Sequence, residues 1–212
     1  MCGSSYLSDE YKKILNNKNF SFDDSDDNIS HLNPWLGDLT GLYWVWKNTD
    51  DEIVGTNQYR RKWSNEQIES IKFSEKTLYI TAPFKFDESV YQQYSKHHGE
   101  IGMLMLYEAA YQKKIPFTFE QLDILKNLNY LSSCNMFFGH RKVFNKVCSV
   151  LFEIIFEVYN GTKFALPFIQ NMGQKRMIAF LSERILTLLY LNSNQYFGDI
   201  DIVDVGWETL YD

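Results

Sequence analysis

Residues 27–61 read DNISHLNPWLGDLTGLYWVWKNTDDEIVGTNQYRR. This stretch contains an acidic turn, a tryptophan-rich helical pattern, a short apolar run and two adjacent arginines. Asn33 and Pro34 predict a helix start, because asparagine is a good N-cap and proline fits the first helical position. We expect this helix to continue to about Lys47, and we look for the functional site within the same stretch.

The predicted helix has two distinct faces. Leu36, Leu39, Tyr43 and Trp46 recur at helical spacing and predict a face that lies in the core. The other face carries small residues that allow close approach, and it comprises Gly37, Thr40, Gly41 and Trp44. This second face fits either tight packing against a sheet or contact with a ligand, and the residues do not decide between the two.

The apolar run that follows predicts a buried strand over residues 53–59, which ends at Arg60 and Arg61. In open α/β sheets, ligands bind beyond the carboxyl ends of the strands. Two arginines at such an end suit a diphosphate, because a guanidinium binds phosphate oxygens in pairs and keeps its charge at any working pH. The alternative is that one arginine is solvated and the other pairs with a carboxylate. The arginines taken alone favour that alternative.

The remaining elements describe one α/β domain over residues 1–212, because no repeat, low-complexity tract or linker divides the chain. Predicted strands cover residues 77–81, 132–138 and 200–205. Predicted helices cover residues 64–73, 99–113, 117–128, 141–159 and 174–192, with Thr118 as an N-cap and Asn160-Gly161 as a helix stop.

Composition narrows the class of protein. Hydrophobic residues make up 45% of the chain and aromatic residues 17%, which argues against disorder. The net charge of -6, with no basic block, argues against nucleic acid as a partner. Cys2, Cys134 and Cys148 lack CxxC spacing and predict free thiols in a reducing compartment. The sequence has neither a signal-peptide pattern nor an apolar run of membrane-spanning length, so we expect a cytoplasmic protein.

Two stretches suggest metal sites, but their residues lack the spacing that metal binding requires. Residues 23–28 suggest a calcium loop, but the position that requires glycine is Ile29 and the position that requires glutamate is Trp35. His97 and His98 are adjacent and cannot share a helix face, and no third ligand at zinc spacing accompanies them. We therefore predict no metal site and interpret the two histidines as solvated or as bracing a loop.

Glu183 is the most informative charged residue outside the opening stretch. Its neighbours on the predicted helix are Ala179, Phe180, Leu186 and Thr187. A carboxylate on such a surface is either paired or has a raised pKa, because burial disfavours its charged form. Catalytic bases are tuned in this way. The alternative is a buried ion pair with Arg60, Arg61 or Arg176, and Glu183 considered alone favours that alternative.

Several blocks of the sequence resemble the bacterial DUF4422 family in the same order. The blocks are DNIS at 27–30, Asn33, DLT at 38–40, LYWVWKN at 42–48, VG at 54–55, YRR at 59–61, NMF at 135–137 and FLSERIL at 180–186. The resemblance covers about residues 27–192. Members of this family occur in gene sets for capsule, exopolysaccharide and lipopolysaccharide synthesis and are described as glycosyltransferases.

The resemblance implies a GT-A-like, Rossmann-like nucleotide-sugar fold with a mixed central sheet and a large helical share. It implies transfer of a sugar from a nucleotide diphosphate donor, with UDP-sugars expected first, to a glycan or lipid-linked glycan acceptor. The candidate catalytic residues are then Asp38, which faces the donor, and Glu183, which acts as the base or, if configuration is retained, orients the donor. The candidate donor-binding residues are Asp27, Asn28, Asn33, Trp44, Tyr59, Arg60, Arg61, Asn135 and Arg184.

Arginine is expected to take the place of a divalent metal. Related GT-A enzymes carry an Asp-x-Asp metal motif at a strand end, where this chain has Gln58-Tyr59-Arg60. Neutralising a diphosphate leaving group is an electrostatic task that an arginine or a metal ion can perform. The resemblance thus implies a metal-independent enzyme, with manganese and magnesium left open. It also leaves open peripheral association with the inner face of the membrane and the oligomeric state.

Three departures from the family pattern support a second hypothesis. Gln58 replaces a usual histidine, Asp38 replaces a usual glutamate, and the chain starts near the end of the family's first strand, around Cys2-Gly3. We therefore expect a shortened N-terminus. The second hypothesis is a catalytically silent relative that binds a sugar nucleotide or glycan, or a subunit that a partner chain completes.

Overall fold

The computed structural model describes residues 3–16, 21–58 and 60–210 of the chain. The helices in this part of the chain are α1 (Asp9–Asn16), α2 (Asn33–Leu36), α3 (Leu39–Asn48), α4 (Asn65–Ser70), α5 (Val90–His98), α6 (Ile101–Tyr111), α7 (Phe119–Asp123), α8 (Arg141–Thr162), α9 (Met172–Lys175), α10 (Met177–Leu191) and α11 (Ser193–Phe197). The strands are β1 (Ile53–Gly55), β2 (Arg61–Trp63), β3 (Thr77–Thr81), β4 (Phe84–Lys85), β5 (Tyr130–Leu131), β6 (Phe137–His140), β7 (Asp201–Val205) and β8 (Trp207–Thr209).

A four-stranded sheet in the order β1-β6-β3-β7 lies at the centre of the fold. β6 runs antiparallel to both of its neighbours, and β7 runs parallel to β3. β1, β3 and β7 therefore point the same way, and their carboxyl ends lie along one edge of the sheet. Two small antiparallel pairs, β2 with β8 and β4 with β5, complete the strands. The predicted α/β fold with a mixed central sheet is confirmed.

Different layers cover the two faces of the central sheet. Leu78 and Ile80 of β3 belong to the large core that α8 and α10 supply, and most of α10 is buried. Tyr79 belongs to a smaller cluster with Trp63 and Phe138. This alternation follows from the geometry of a strand, whose successive side chains point to opposite faces. Within the described residues, none of the helices has both the length and the apolar character needed to cross a bilayer.

The helix predicted from Asn33 to Lys47 is interrupted at Gly37. Gly37 has a φ of +55°, a left-handed conformation that glycine adopts without steric penalty. A Cβ at this position would lie 3.4 Å from the Cβ of Ala179, so the break also lets the chain approach α10 closely. Asn33 lies inside α2 rather than capping it, and its Nδ2 donates to the Gly37 carbonyl at 2.8 Å and to Thr40 Oγ1 at 3.1 Å. The small-residue face is thus used for packing at Gly37.

Two predicted strands are shorter than expected. The run that begins at Ile53 is extended only to Gly55, and Arg61 instead begins β2, which pairs with β8. The strand predicted over residues 132–138 starts at Phe137, because Cys134 and Asn135 have φ values of +77° and +50° and cannot continue an extended run.

The ends of the two long helices also differ from the predicted ones. α8 continues through the predicted stop at Asn160-Gly161 to Thr162. Gly161 remains helical where α8 packs on α6, since a Cβ there would lie 3.1 Å from the Met105 sulfur. α10 begins at Met177, after the short helix α9. His98 is buried rather than solvated, and its Nδ1 lies 3.1 Å from the Gly173 carbonyl oxygen, which fits the alternative prediction of a residue that braces a connecting segment. Its ring stacks on Phe180 with ring centroids 3.9 Å apart.

Candidate functional site

The candidate site lies at the carboxyl ends of β1 and β3, where residues 132–136 cross the edge of the sheet. Thr81, the last residue of β3, forms a 2.9 Å hydrogen bond with Ser132 through their hydroxyls and donates to the Ser133 carbonyl at 3.0 Å. Thr56, which follows β1, donates from its hydroxyl to the Asn135 carbonyl at 3.1 Å. Ligands of open α/β sheets bind at such an edge.

The backbone of this crossing segment is held in an unusual conformation. Cys134 and Asn135 both occupy the left-handed region, which asparagine tolerates and a cysteine rarely adopts. α10 fixes the segment from one side, because the Ser132 N–H donates to Thr187 Oγ1 at 3.2 Å and the Cys134 N–H donates to Glu183 Oε1 at 2.6 Å. Strained backbone held by its surroundings is concentrated at functional sites.

Glu183 projects from α10 toward this segment. Its Oε2 accepts a hydrogen bond from Arg184 Nη1 at 2.9 Å, and its side chain is 14% exposed. Burial raises the pKa of Glu183, while the charge of Arg184, the Cys134 N–H and the charge of Arg61 oppose the rise. The expected ion pair therefore exists, but the partner is Arg184 rather than Arg60, Arg61 or Arg176. A paired carboxylate with a raised pKa remains suited to accepting a proton.

Arg184, which was predicted to bind the donor, is buried in the core. The residue is 1% exposed. Its Nη1 also donates to the Phe180 carbonyl at 2.9 Å, its Nη2 contacts Gln93 Oε1, and the guanidinium lies 5.4 Å from the Tyr94 ring centroid. Arg184 thus orients Glu183 from inside the core.

Asp38 lies at the N-terminus of α3 and is partly buried beside the same segment. Asn135 Nδ2 donates to Asp38 Oδ1 at 3.3 Å, and Asn135 Oδ1 accepts from the Ser182 hydroxyl at 2.7 Å. Burial and the negative charge of Glu183 raise the pKa of Asp38 to about 6, whereas the Asn135 hydrogen bond and the charge of Arg176 oppose the rise. Three predicted site residues, Asp38, Asn135 and Glu183, are therefore brought together.

Arg61 approaches the cluster from β2. Its Nη1 lies 3.2 Å from Gln58 Oε1 and 2.8 Å from Cys134 Sγ, and its guanidinium stacks 4.8 Å from the Trp207 ring centroid. Arg60 next to it is exposed, and its backbone carbonyl accepts from the Leu210 N–H at 2.9 Å. Tyr59, another predicted donor contact, lies outside the described residues. The adjacent arginines therefore have different surroundings, and Arg61 is the one that contacts Cys134, whose N–H donates to Glu183.

Three further predicted residues lie away from this cluster. Asp27 Oδ1 accepts from the Tyr43 hydroxyl at 3.1 Å, and Asn48 Nδ2 donates to the Asp27 carbonyl at 2.9 Å. Asn28 hydrogen-bonds the backbone of its own turn, and Trp44 Nε1 donates to Ser25 at 3.1 Å. These contacts lie toward the far end of α3, whose ten residues span about 15 Å. The acidic turn therefore packs on α3 rather than facing Glu183.

Sequence reasoning missed the role of Asp23, which is buried beneath this turn. Its carboxylate accepts hydrogen bonds of 2.6–2.8 Å from the Gly3 and Ser4 N–H groups and from the hydroxyls of Ser4, Ser30 and Thr40. Its three acidic neighbours in residues 23–27 concealed this role, and the spacing of the donors gives no local signal. Asp23 joins the N-terminal segment to α3 and so supports the backbone that leads to Asp38.

A groove of about 530 Å³ borders the site where β3, β7 and α10 meet. Its walls include Pro83, Lys85, Ser132, Thr187, Tyr190 and Asp204. Thr187 Oγ1 donates to the Glu183 carbonyl at 2.8 Å, so the groove lies one helical turn from Glu183. Its volume is in the range of small-molecule sites. Among the side chains that the structure describes, no group of three or more His, Cys, Asp or Glu is arranged to hold a metal ion.

Comparison with known proteins defines first the fold and then the family. The structure of WbbM, described as a bifunctional glycosyltransferase in its apo state, is similar to this chain with a TM-score of 0.66 and 19% sequence identity. The similarity covers 90% of this chain and 39% of the WbbM chain, so the chain spans well under half of that protein. A search of curated proteins finds no match.

The sequence comparison identifies the family. Residues 8–195 match the model of DUF4422, a domain of unknown function. Because the match covers most of the chain, the chain belongs to the DUF4422 family, as the resemblance in its sequence blocks predicted. Together with the structural similarity to WbbM, this establishes a glycosyltransferase-like α/β fold.

Proposed function

We propose that this protein is a glycosyltransferase that moves a sugar from a nucleotide diphosphate donor to a hydroxyl of a glycan or lipid-linked glycan. The observation that carries the proposal is a cluster around residues 132–136 at the carboxyl ends of β1 and β3, where Asn135 contacts Asp38, and Cys134 contacts both Glu183 and Arg61. Sugar transfer needs a carboxylate near the acceptor, polar contacts to the donor sugar and positive charge near the diphosphate. These residues supply all three within one site.

Glu183 acts on the acceptor hydroxyl in this proposal. Its raised pKa brings the carboxylate closer to the working pH, which favours proton transfer in the transition state. The Cys134 N–H and Arg184 hold its two oxygens, so the carboxylate needs little reorganisation. In a reaction that retains configuration, the same fixed charge would instead orient the donor or stabilise positive charge on the sugar.

Asp38 contacts the donor sugar with support from Asn135, and the neighbouring groove accepts the nucleoside. Asp38 is half-buried, so its carboxylate can accept hydrogen bonds from sugar hydroxyls, while the buried Asn135 orients it. The groove continues from Thr187 along β3 and β7, beyond the carboxyl ends where nucleotides bind in α/β folds. A UDP-sugar is the donor we would test first.

Arg61 neutralises the diphosphate leaving group. Its guanidinium is held by Gln58 and stacks on Trp207, which fixes its direction without removing its charge. We expect donor turnover to be unchanged by EDTA. Loss of turnover in EDTA with recovery on adding manganese would contradict this role for Arg61.

We further propose that the reaction belongs to surface polysaccharide synthesis on the cytoplasmic side of the membrane, and the family resemblance supports this assignment. The test is a panel of UDP-, GDP- and dTDP-sugars, scored by thermal shift for binding and by nucleotide release for turnover. One nucleotide class should raise the melting temperature and support release.

The adjacent arginines provide a matched pair for this test. Arg61→Ala should lower release about 100-fold, comparable to removing one preorganised charge-stabilising group. Arg60→Ala should lower release about twofold or less, because its side chain is exposed. Equal losses in the two variants would contradict the assignment of the diphosphate to Arg61.

The second hypothesis, a silent relative that binds sugar nucleotides, makes a different prediction in the same panel. Gln58 favours this second hypothesis for two reasons. Its side-chain oxygen accepts a hydrogen bond from Arg61, and glutamine cannot act as an acid in the way that histidine can. Tight binding of one nucleotide sugar without release on any acceptor would establish binding alone and overturn the proposed transfer.

A further inference from the structure

Residues 163–176 form a surface segment that the candidate site does not use. The segment links α8 to α10, contains α9, and reads KFALPFIQNMGQKR. Three of its large apolar side chains point outward, and they are Phe164 at 73% exposure, Phe168 at 82% and Met172 at 62%. Single exposed apolar residues are common, but three large ones within residues 164–172 of one connecting segment favour an interaction surface.

The outward side chains are held in place by the rest of the segment. Leu166 is fully buried and Ile169 packs against the core, so the segment is anchored from inside. The Phe168 N–H donates to the Ala165 carbonyl at 3.1 Å and the Ile169 N–H to the Leu166 carbonyl at 3.2 Å, which closes a tight turn. The exposure of Phe164 and Phe168 is therefore a consequence of a defined conformation.

The charge of this segment is opposite to that of the whole protein. Residues 163–176 contain Lys163, Lys175 and Arg176 and no carboxylate, whereas the chain has a net charge of -6. Lys163 Nζ donates to the neutral amide of Asn160 at 3.2 Å, so that contact leaves its charge available. Aromatic and apolar side chains flanked by cations match the headgroup region of an anionic bilayer.

The segment leads directly to the candidate site. Arg176 immediately precedes α10, and its positive charge opposes the rise in the pKa of Asp38. Glu183 lies seven residues further along the chain, which corresponds to about 10 Å of helix. A surface that holds residues 163–176 would therefore lie close to the mouth of the site.

We propose that residues 163–176 dock this protein on an anionic membrane surface, with Phe164, Phe168 and Met172 inserted among the headgroups and Lys163, Lys175 and Arg176 near the lipid phosphates. This inference does not depend on the transfer reaction, because binding to lipid requires neither donor nor acceptor. The location beside Asp38 means that docking would bring the site to lipid-linked substrates.

The test measures sedimentation of the full chain with vesicles of phosphatidylcholine alone and with vesicles that also contain phosphatidylglycerol. Binding should require the anionic lipid and weaken as salt rises. The triple variant Phe164→Ser, Phe168→Ser, Met172→Ser should lower the partition coefficient about tenfold or more, because three apolar insertions are lost. The charge variant Lys163→Glu, Lys175→Glu should lower it by a similar factor at low salt.

Matched controls lie elsewhere on the surface. Phe84→Ser and Tyr111→Ser remove aromatic side chains that are 55% and 70% exposed, and both variants should bind vesicles like the unmodified chain. Thermal melts check that the variants fold, which we expect because the changed side chains face solvent.

Two results would overturn the proposal. The first is absence of binding of the unmodified chain to anionic vesicles at low salt, or binding that the triple and charge variants leave unchanged. The second is self-association of the unmodified chain in analytical ultracentrifugation that the triple variant abolishes, since the segment would then be an interface between protein chains.

Discussion

Two carboxylates, Asp23 and Asp38, lie near the N-terminus of helix α3, and their pKa values shift in opposite directions. Asp23 is buried, which alone would raise its pKa, but hydrogen bonds from Ser4, Ser30 and Thr40 outweigh burial and lower the pKa below its usual value. Asp38 is also desolvated, and the charge of Glu183 adds to the effect, so its pKa rises to about 6. The folded protein therefore favours the charged form of Asp23 and disfavours that of Asp38.

This difference separates a structural carboxylate from a functional one. Asp23 gains stability from the donors around it and joins the segment at Ser4 to α3. The pairing of Asp38 with Glu183 costs stability, because two carboxylates at one place repel each other. Groups whose arrangement lowers the stability of the folded protein are found at functional sites more often than at purely structural ones. Three changes at these sites test the distinction.

The largest expected effect is on turnover in Glu183→Gln. If Glu183 accepts the acceptor proton, its replacement by a neutral isostere should lower kcat about 1,000-fold, as expected for loss of a positioned base. The measurement is nucleotide release per folded molecule with the best donor of the panel. Glu183→Asp keeps the charge on a shorter side chain, and its kcat should lie between those of the unmodified chain and Glu183→Gln.

The same substitution at Glu153 is the control, because Glu153 lies on the exposed side of α8. Glu153→Gln should leave kcat unchanged. Glu183→Gln also removes the charge that pairs with buried Arg184, so each variant is assayed well below its own melting temperature. A Glu183→Gln rate within about threefold of the unmodified chain would remove Glu183 from the proposed chemistry.

The next largest effect is on stability in Asp23→Ala. The change leaves the buried Gly3 and Ser4 N–H groups and the Ser30 hydroxyl without their acceptor, which should cost about 3–4 kcal/mol of the free energy of unfolding. The hydroxyls of Ser4 and Thr40 keep a second acceptor, in Asp24 and in the Gly37 carbonyl. Urea unfolding at pH 7 measures the loss. The binding affinity of the remaining folded molecules for the donor should change little.

The pH dependence of this effect follows from the lowered pKa. Because the folded-state pKa of Asp23 lies below its usual 3.8, its contribution to stability is present above about pH 4 and disappears as pH falls through the folded value. The difference between the unmodified chain and Asp23→Ala should therefore shrink in acid. A difference that stayed constant down to pH 2 would mean that the carboxylate charge is irrelevant.

Much of the fold could be predicted from the sequence because its signals are local. The strand at 77–81 is observed at those bounds, and Thr118 caps α7 as expected. The predictions were wrong where a distant contact overrides the local pattern. Gly161 continues α8 because the helix packs there on α6 at Met105, and the break at Gly37 depends on packing against α10.

The candidate site could be predicted only in part, for a related reason. The sequence identified Asp38, Asn135, Glu183 and Arg61, which the structure brings together. It did not distinguish Asp23 from the other acidic residues of its turn, because the donors that surround Asp23 come from three separate segments. It also assigned Arg184 to the donor, since no pattern in the sequence shows which of two adjacent charged residues on α10 faces inward.

The smallest expected effect, and the most direct test of the comparison, is the stability of Asp38→Asn. The folded-state pKa of Asp38, about 6, lies above its usual 3.8, so the folded protein binds more protons than the unfolded chain between about pH 4 and pH 6. Ionised Asp38 therefore lowers stability as pH rises through this window. The asparagine variant lacks this cost, and its side-chain oxygen can still accept from Asn135.

At pH 7 we expect Asp38→Asn to be more stable by about 1 kcal/mol, or roughly 2–4 °C in melting temperature. The gain should vanish below about pH 4, where the unmodified residue is also neutral. Turnover should fall in the same variant, because the donor loses a charged contact. A variant that is less stable at pH 7 would place Asp38 with Asp23 as a structural carboxylate, and the proposed site would then depend on Glu183 and Arg61 alone.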